Sequence, residues 1–230
     1  MRVLARFNGR NGEISVIEEL ATGARLYHEA GVHQGYVLPG GDVGLTHVRV
    51  MTRLLSGYDE VLLLGCAGGA LATALHRQCS LVTVVDNNPI SFELARRFFW
   101  MPAGIRCIVG EVREFLSRCA EPYDAIGVDI GRPCFFYEDA LNTATCARMN
   151  RRLRDGGRIV VNIACDWEED PTPDRIAGNL EAEDLDVWLC DEPAVAGRNT
   201  MVLASSQPEN RRELRHHTLK DWVLRRPRDT

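Results

Sequence analysis

Between residues 61 and 164 the chain repeatedly alternates a short apolar run with a helix-length amphipathic one, which leaves few folds open. Val61-Leu62-Leu63-Leu64 is a continuous apolar run before a glycine cluster, as in a strand buried on both faces. From Gly69 to Cys79, Leu71, Ala72 and Leu75 mark one face of a helix. Leu81 to Val85 is rich in β-branched residues and reads as the next strand. It ends at Asp86-Asn87-Asn88-Pro89, where Asn88 as N-cap and Pro89 as first helical residue open a helix toward Trp100. Further strands are expected at 105–109, 123–129 and 158–163, with helices at 111–118 and 137–153. Strands separated by single helices specify an α/β fold, a Rossmann-like doubly wound parallel sheet. Leu185–Cys190 and Thr200–Ser205 lack a helix-length insert between them and read as a terminal antiparallel hairpin.

The ends differ from this core. Ile14 to Leu20, the Thr22-Gly23 turn and Arg25 to His28 predict a small N-terminal β-module over 1–40, followed by a flexible Gly- and Pro-rich connection within 35–44. Residues 41–206 form the expected ligand-binding domain. Residues 207–230 hold seven Lys/Arg against four Asp/Glu, a basic polar helix or loose tail.

Composition narrows the function classes. The 230 residues carry a net charge of −5, so the whole protein lacks the electrostatic footprint of a nucleic-acid binder. The tail is net +3 and the body acidic. No apolar run approaches the roughly 18 residues that span a bilayer, and Asn8-Gly9 interrupts any signal-peptide core, so neither membrane insertion nor secretion is expected. The eight cysteines are spaced about a dozen residues or more apart, with no Cys-x-x-Cys pair. They read as small buried hydrophobes of a reducing cytoplasm rather than a disulfide or zinc framework, and no metal is expected. His216-His217 reads as a solvated pair.

Ligands of open α/β sheets bind beyond the carboxyl ends of the strands. Here those ends carry Gly65-Cys66-Ala67-Gly68-Gly69, then Asp86, then Gly110-Glu111, then Asp129. Glycines permit a tight turn and close backbone approach. An acid 21 residues after Gly65 can accept both hydroxyl hydrogens of a ribose. Glu111 either meets an adenine edge or is a first-turn helix acid. Asp129, at the tip of the central strand, suits general-base work or cation binding. The turn lacks Gly-Lys-Ser/Thr, which disfavours ATP hydrolysis.

The spacing Gly65-x-Ala67-x-Gly69 and the terminal hairpin resemble class I S-adenosylmethionine-dependent methyltransferases. Several stretches resemble a branch of that superfamily, the spermidine synthases (aminopropyltransferases), which carry a small N-terminal β-module. These are Gly31-Val32-His33-Gln34, Val85 to Pro89 with Glu93 to Arg96, Val109 to Val112, Tyr123 to Asp129, Leu153 to Gly157 and Met201 to Ser205. The resemblance implies an adenosyl donor, S-adenosylmethionine or its decarboxylated form. It would contact Gly65, Cys66, Ala67, Gly69, Asp86, Asn87, Gly110, Glu111 and Val112, with Asp129 as catalytic aspartate. Gln34 would face the acceptor, a small molecule, and a homodimer is implied.

Three departures matter, one of them Gly41-Asp42-Val43-Gly44 in place of the family's tyrosine-containing entry segment. Gly68 replaces the family's aspartate that contacts the charged end of the decarboxylated donor, and Arg132 replaces a diamine-holding acid. A like-charge contact at about 4 Å and effective dielectric near 20 costs on the order of 4 kcal/mol, so a polyamine should bind poorly beside Arg132. Arg132 suits an acceptor bearing a carboxylate or phosphate. The acidic loop Asp166-Trp167-Glu168-Glu169-Asp170 either holds a cation beside Trp167 or is solvated. The first expectation is therefore methyl transfer to a small molecule. The alternatives are aminopropyl transfer, and adenosyl-ligand binding without catalysis.

Overall fold

The computed structural model describes residues 1–78, 81–131, 136–191, 195, 197–218 and 221–228. Its N-terminal part is a five-stranded antiparallel sheet in sequential order: β1 (Arg2–Gly9), β2 (Gly12–Glu18), β3 (Arg25–Glu29), β4 (Val32–Leu38) and β5 (Asp42–Val43). The hairpin expected over 14–28 is thus β2–β3, and β1 extends it on one edge. The Gly/Pro-rich connection is ordered rather than loose. β4 runs into a tight turn at Pro39–Gly41 and returns as β5, and Arg77 holds this corner through Asp42 at 2.8 Å and through the Gly40 carbonyl.

The remaining strands build an eight-stranded sheet. In chain order the elements are α1 (Thr46–Leu54), β6 (Glu60–Leu64), α2 (Ala70–Arg77), β7 (Leu81–Asp86), α3 (Pro89–Phe98), β8 (Arg106–Val109), α4 (Val112–Arg118) and β9 (Tyr123–Val128). Then come α5 (Tyr137–Ala140), α6 (Thr143–Asn150), β10 (Leu153–Cys165), α7 (Thr172–Glu181), β11 (Asp186–Asp191), β12 (Arg198–Ser205), α8 (Arg211–His217) and β13 (Val223–Arg225). The spatial order is β13-β11-β12-β10-β9-β6-β7-β8. β8, β7, β6, β9 and β10 are parallel, and β12 and β11 form the antiparallel hairpin. The order reverses between β6 and β9, so a crevice opens beyond their carboxyl ends.

The continuous apolar runs exist because both faces are covered. Leu62, Leu64, Ile126, Val128, Ile159 and Val161 pack with α4, α6 and α7, while Val61, Leu63, Val84, Ala125 and Val160 pack with α1, α2 and α8. Each buried Val, Leu or Ile among these contributes about 1.5–3 kcal/mol. The small sheet is fastened to the large one through α3, where Ile14, Val16, Tyr27 and Val37 share a core with Leu94 and Phe99. Tyr27 also bonds Ser91 (Oη–Oγ 3.2 Å), and the Arg25 guanidinium lies 4.2 Å from the Trp100 ring.

One expectation is corrected and one pair of alternatives is resolved. The single helix over 137–153 is broken at Leu141-Asn142, because Asn142 caps a new helix by accepting from the Thr145 amide at 3.0 Å. Of the polar helix and the loose tail expected as alternatives over 207–230, the described residues form the helix, α8, and β13 pairs with β11 as an added edge strand. Arg225 forms two hydrogen bonds to Asp174, and Arg226 lies 3.8 Å over the Trp188 ring. Among the described cysteines six are free thiols, and Cys79 and Cys134 lie outside the described residues.

Candidate functional site

Two adjoining cavities open beyond the carboxyl ends of β6, β7 and β9. The first, about 450 Å³, is of nucleoside size. It takes its floor from the turn after β6. Gly65 has φ +104°, and a Cβ there would lie 2.1 Å from the Asp129 carbonyl oxygen, so only glycine permits this approach of two strand ends. Gly69, at φ +70°, starts α2, and a Cβ there would collide with the Met101 sulfur at 2.8 Å.

Asp86 closes the side of this cavity. Its Oδ2 accepts from the Cys66 amide and its Oδ1 from the Asn88 amide, both at 2.8 Å, so one carboxylate braces the glycine turn and the start of α3. A carboxylate has about four acceptor positions, which leaves capacity for ribose hydroxyls. Burial raises the Asp86 pKa above its ordinary value, against the opposing effect of the amides of Asn88 and Cys66. The Cys66 thiol is pushed up by burial and by Asp86. It is no nucleophile at neutral pH.

The far wall joins both sheets. Glu111 is an exposed residue before α4, and Asn87 donates to both its oxygens at 3.3 Å. Arg10, at the β1–β2 turn, reaches the same carboxylate at 2.7 Å. Buried Glu29, at the end of β3, accepts from Asn88 at 3.1 Å and Asn11 at 3.3 Å. Sequence reasoning missed Arg10 and Glu29. Their roles depend on how the small sheet docks, and no local pattern marks them.

The second cavity, about 740 Å³, shares Gln34, Ala67, Asp129, Ile130, Gly131, Phe136 and Asp139 with the first. Asp129 follows β9, and its amide donates to the Leu64 carbonyl at 2.9 Å. Its Oδ1 accepts from Asn162 Nδ2 at 2.9 Å, and the Asn162 carbonyl accepts from Asn199 Nδ2 at 3.0 Å. Five carboxylates line this space: Asp129, Glu138, Asp139, Asp166 and Asp170. Its one arginine among the described residues, Arg175, is paired with Glu138 at 2.7 Å. Trp167 lies at the edge, 54% exposed. Glu168 and Glu169 do not line it, and Asp170 is a turn residue, accepting from the amides of Asp166 (3.3 Å) and Thr172 (3.0 Å).

The structure therefore places Gly65, Cys66, Ala67, Asp86, Asn87, Glu111 and Val112 around one cavity, with Gln34 and Asp129 at its junction with the other. Gly69 and Gly110 support the walls without lining them: Gly69 donates to Cys66 O at 2.7 Å and Gly110 to Asp86 O at 3.0 Å. Gln34 Nε2 donates to the Gly131 carbonyl at 3.4 Å. Arg132 lies outside the described residues. Among the described residues no group of three or more His, Cys, Asp or Glu is placed to hold a metal, and no helix is long and apolar enough to cross a membrane.

No protein-family model matches the chain. A polyamine aminopropyltransferase of Korarchaeum cryptofilum (strain OPF8) is 27% identical over 129 residues, 51% of this chain and 39% of that protein. Nodulation protein S of Rhizobium tropici is 32% identical over 108 residues, 46% of this chain and 44% of that protein. The matched segment thus spans less than half the length of either curated relative. Among solved structures, a probable spermidine synthase of Corynebacterium glutamicum ATCC 13032 superposes with a TM-score of 0.84 at 16% identity, covering 99% of this chain and 92% of its own. A spermidine synthase in complex with the transition-state analogue AdoDATO gives 0.71 at 14% identity, covering 92% and 76%. The spermidine synthase of Thermotoga maritima gives 0.72 at 13%, covering 92% and 75%. The fold is spermidine synthase-like: a Rossmann-like sheet of class I methyltransferase type with a small antiparallel N-terminal sheet.

Proposed function

We propose that the chain is an aminopropyltransferase that moves the aminopropyl group of decarboxylated S-adenosylmethionine onto an amine. The observation that carries this reading is the charge of the second cavity. Among the described residues, five carboxylates face one arginine that is already paired, an environment that attracts a cation and repels a carboxylate or phosphate. The acceptor expected from Arg132 alone, an anion, fits these walls poorly. The similarity to a polyamine aminopropyltransferase points the same way.

The first cavity suits the adenosyl group, with Asp86 accepting from the ribose, Asn87 and Glu111 at the base, and the Gly65–Gly69 turn against the sulfur end. The donor supplies an electrophilic carbon beside a sulfonium sulfur. An amine nitrogen placed beside Asp129 attacks that carbon in line. The carbon–sulfur bond breaks with its electron pair going to sulfur, and methylthioadenosine leaves. Asp129 takes the proton that the nitrogen sheds. The walls contribute alignment, worth a large share of the barrier when the reacting atoms are held about 3–3.5 Å apart, and Trp167 offers a ring face to a distal ammonium.

Gly68 favours a second reading, methyl transfer from S-adenosylmethionine itself. The turn offers no carboxylate to the purely cationic end of the decarboxylated donor, whereas S-adenosylmethionine carries its own carboxylate beside its ammonium, and a Cβ at Gly68 would sit 3.3 Å from the Phe99 ring and 3.4 Å from Val37. Calorimetry with S-adenosylmethionine, its decarboxylated form and methylthioadenosine separates the two. Tighter binding of the decarboxylated donor supports aminopropyl transfer, and preference for S-adenosylmethionine overturns it in favour of methyl transfer.

A further inference from the structure

Asn162 and Asn199 are polar side chains set among the apolar residues of β10 and β12, and they belong to neither the donor turn nor the acidic loop. The antiparallel register puts Asn162 opposite Met201 and Asn199 opposite Ala164, so the two asparagines are diagonal neighbours on one face of the sheet. Asn162 is 5% exposed, and both line the second cavity. The hydrogen bonds run in one direction, from Asn199 Nδ2 to Asn162 Oδ1 and from Asn162 Nδ2 to Asp129 Oδ1. An ionised carboxylate only accepts, so Asn162 must turn its NH₂ to Asp129 and its carbonyl to Asn199. Asn199 must then present its own NH₂. By the same logic, a change at Asn199 that turned Asn162 around would set a carbonyl against the Asp129 carboxylate.

We propose that Asn199 is a positioning residue which, through Asn162, fixes the rotamer of Asp129 and which of its oxygens stays free. The relay holds Oδ1 and leaves the proton-accepting task to Oδ2. This rests on the reading of Asp129 as the proton acceptor of the transfer, but the relay itself is measurable without turnover. Other titratable and charged groups around Asp129 act on it in any variant: Tyr137, which burial pushes up to about 12 and keeps protonated, and Glu138, Asp139, Asp166, Asp170, Arg175, His33 and His47 on the cavity walls. The test must therefore separate the relay from their field.

The experiment is a carbon-13 NMR titration of the Asp129 carboxyl in the full chain, assigned with Asp129→Asn, across a cycle of Asn199→Asp, Asn162→Ala and the double variant. Asp at 199 accepts instead of donating and reverses Asn162. The relay predicts a rise of the Asp129 midpoint by about one pH unit or more in Asn199→Asp, cut at least by half when Asn162 is alanine. An equal rise in both backgrounds is through-space repulsion alone and overturns the relay. Neutral Asn199→Leu is the second variant, should an acid at 199 disturb folding. It frees Asn162 and should broaden or shift the Asp129 signal, and an unchanged signal also overturns the relay. In turnover assays, Asn199→Asp should lower kcat with donor KM unchanged and move the acidic limb of the pH profile upward. If Asp129→Asn keeps the wild-type rate and profile while the NMR cycle shows coupling, the proton-acceptor reading fails and the relay stands.

Discussion

Replacing Asp86 with alanine would remove an acceptor of two backbone amides as well as the ribose contact proposed for it. Adenosyl affinity should fall by roughly 1–3 kcal/mol, about 5- to 150-fold, in calorimetry. Because burial raises the Asp86 pKa, its proton is held above the ordinary carboxylate value of about 4. Donor affinity should then decline on acidification from a pH above that value, and this dependence should flatten in Asp86→Ala. Asp129→Asn keeps the shape of the side chain but removes its ability to take a proton. It should slow turnover by about 10²- to 10³-fold and leave donor affinity within a factor of two or so. Asp86 and Asp129 were legible in the sequence because a strand followed by an acid is a local pattern. Asn162 and Asn199 were not. Their meaning arises only when residues 37 apart are brought together by the β10–β12 register.

At the level of elements, the parallel core was legible because strands buried on both faces read as unbroken apolar runs. The break between α5 and α6 was obscured by apolar residues that continue across it, although Asn142 two residues into the gap is an N-cap signal. β13 was unreadable for a different reason. It is three residues long, and its partner β11 is supplied from far away in the chain. Its attachment is measurable. Burial would raise the Asp174 pKa, but the Arg225 hydrogen bonds and the Arg228 amide outweigh it and hold the carboxyl below its ordinary value. A carboxylate with a lowered folded pKa stabilises the fold above its unfolded pKa and loses that contribution as pH falls. Arg225→Ala should therefore cost about 3 kcal/mol at pH 7, read by urea unfolding. The gap from wild type should shrink as the pH is lowered below about 4.

For the whole molecule, the small N-terminal sheet is a wall of the site and not an appendage. Arg10, Asn11 and Glu29 reach the first cavity, and Gln34 reaches both cavities, across a joint formed by Tyr27, Phe99 and α3. The sequence revealed the module's presence, but its docking depends on contacts such as Tyr27–Ser91, 64 residues apart. The net charge likewise concealed its distribution: an acidic body opens an acidic cavity, while the basic tail is tied down by Asp174 and Asp186. That cavity leads to the central claim, transfer of an aminopropyl group to an amine. The direct measurement is mass-spectrometric product analysis of the full chain given S-adenosylmethionine and its decarboxylated form in equal amounts, with a mixture of small diamines and polyamines. The account predicts methylthioadenosine together with an amine heavier by one aminopropyl group. S-adenosylhomocysteine with a methylated amine, and no methylthioadenosine, would contradict it.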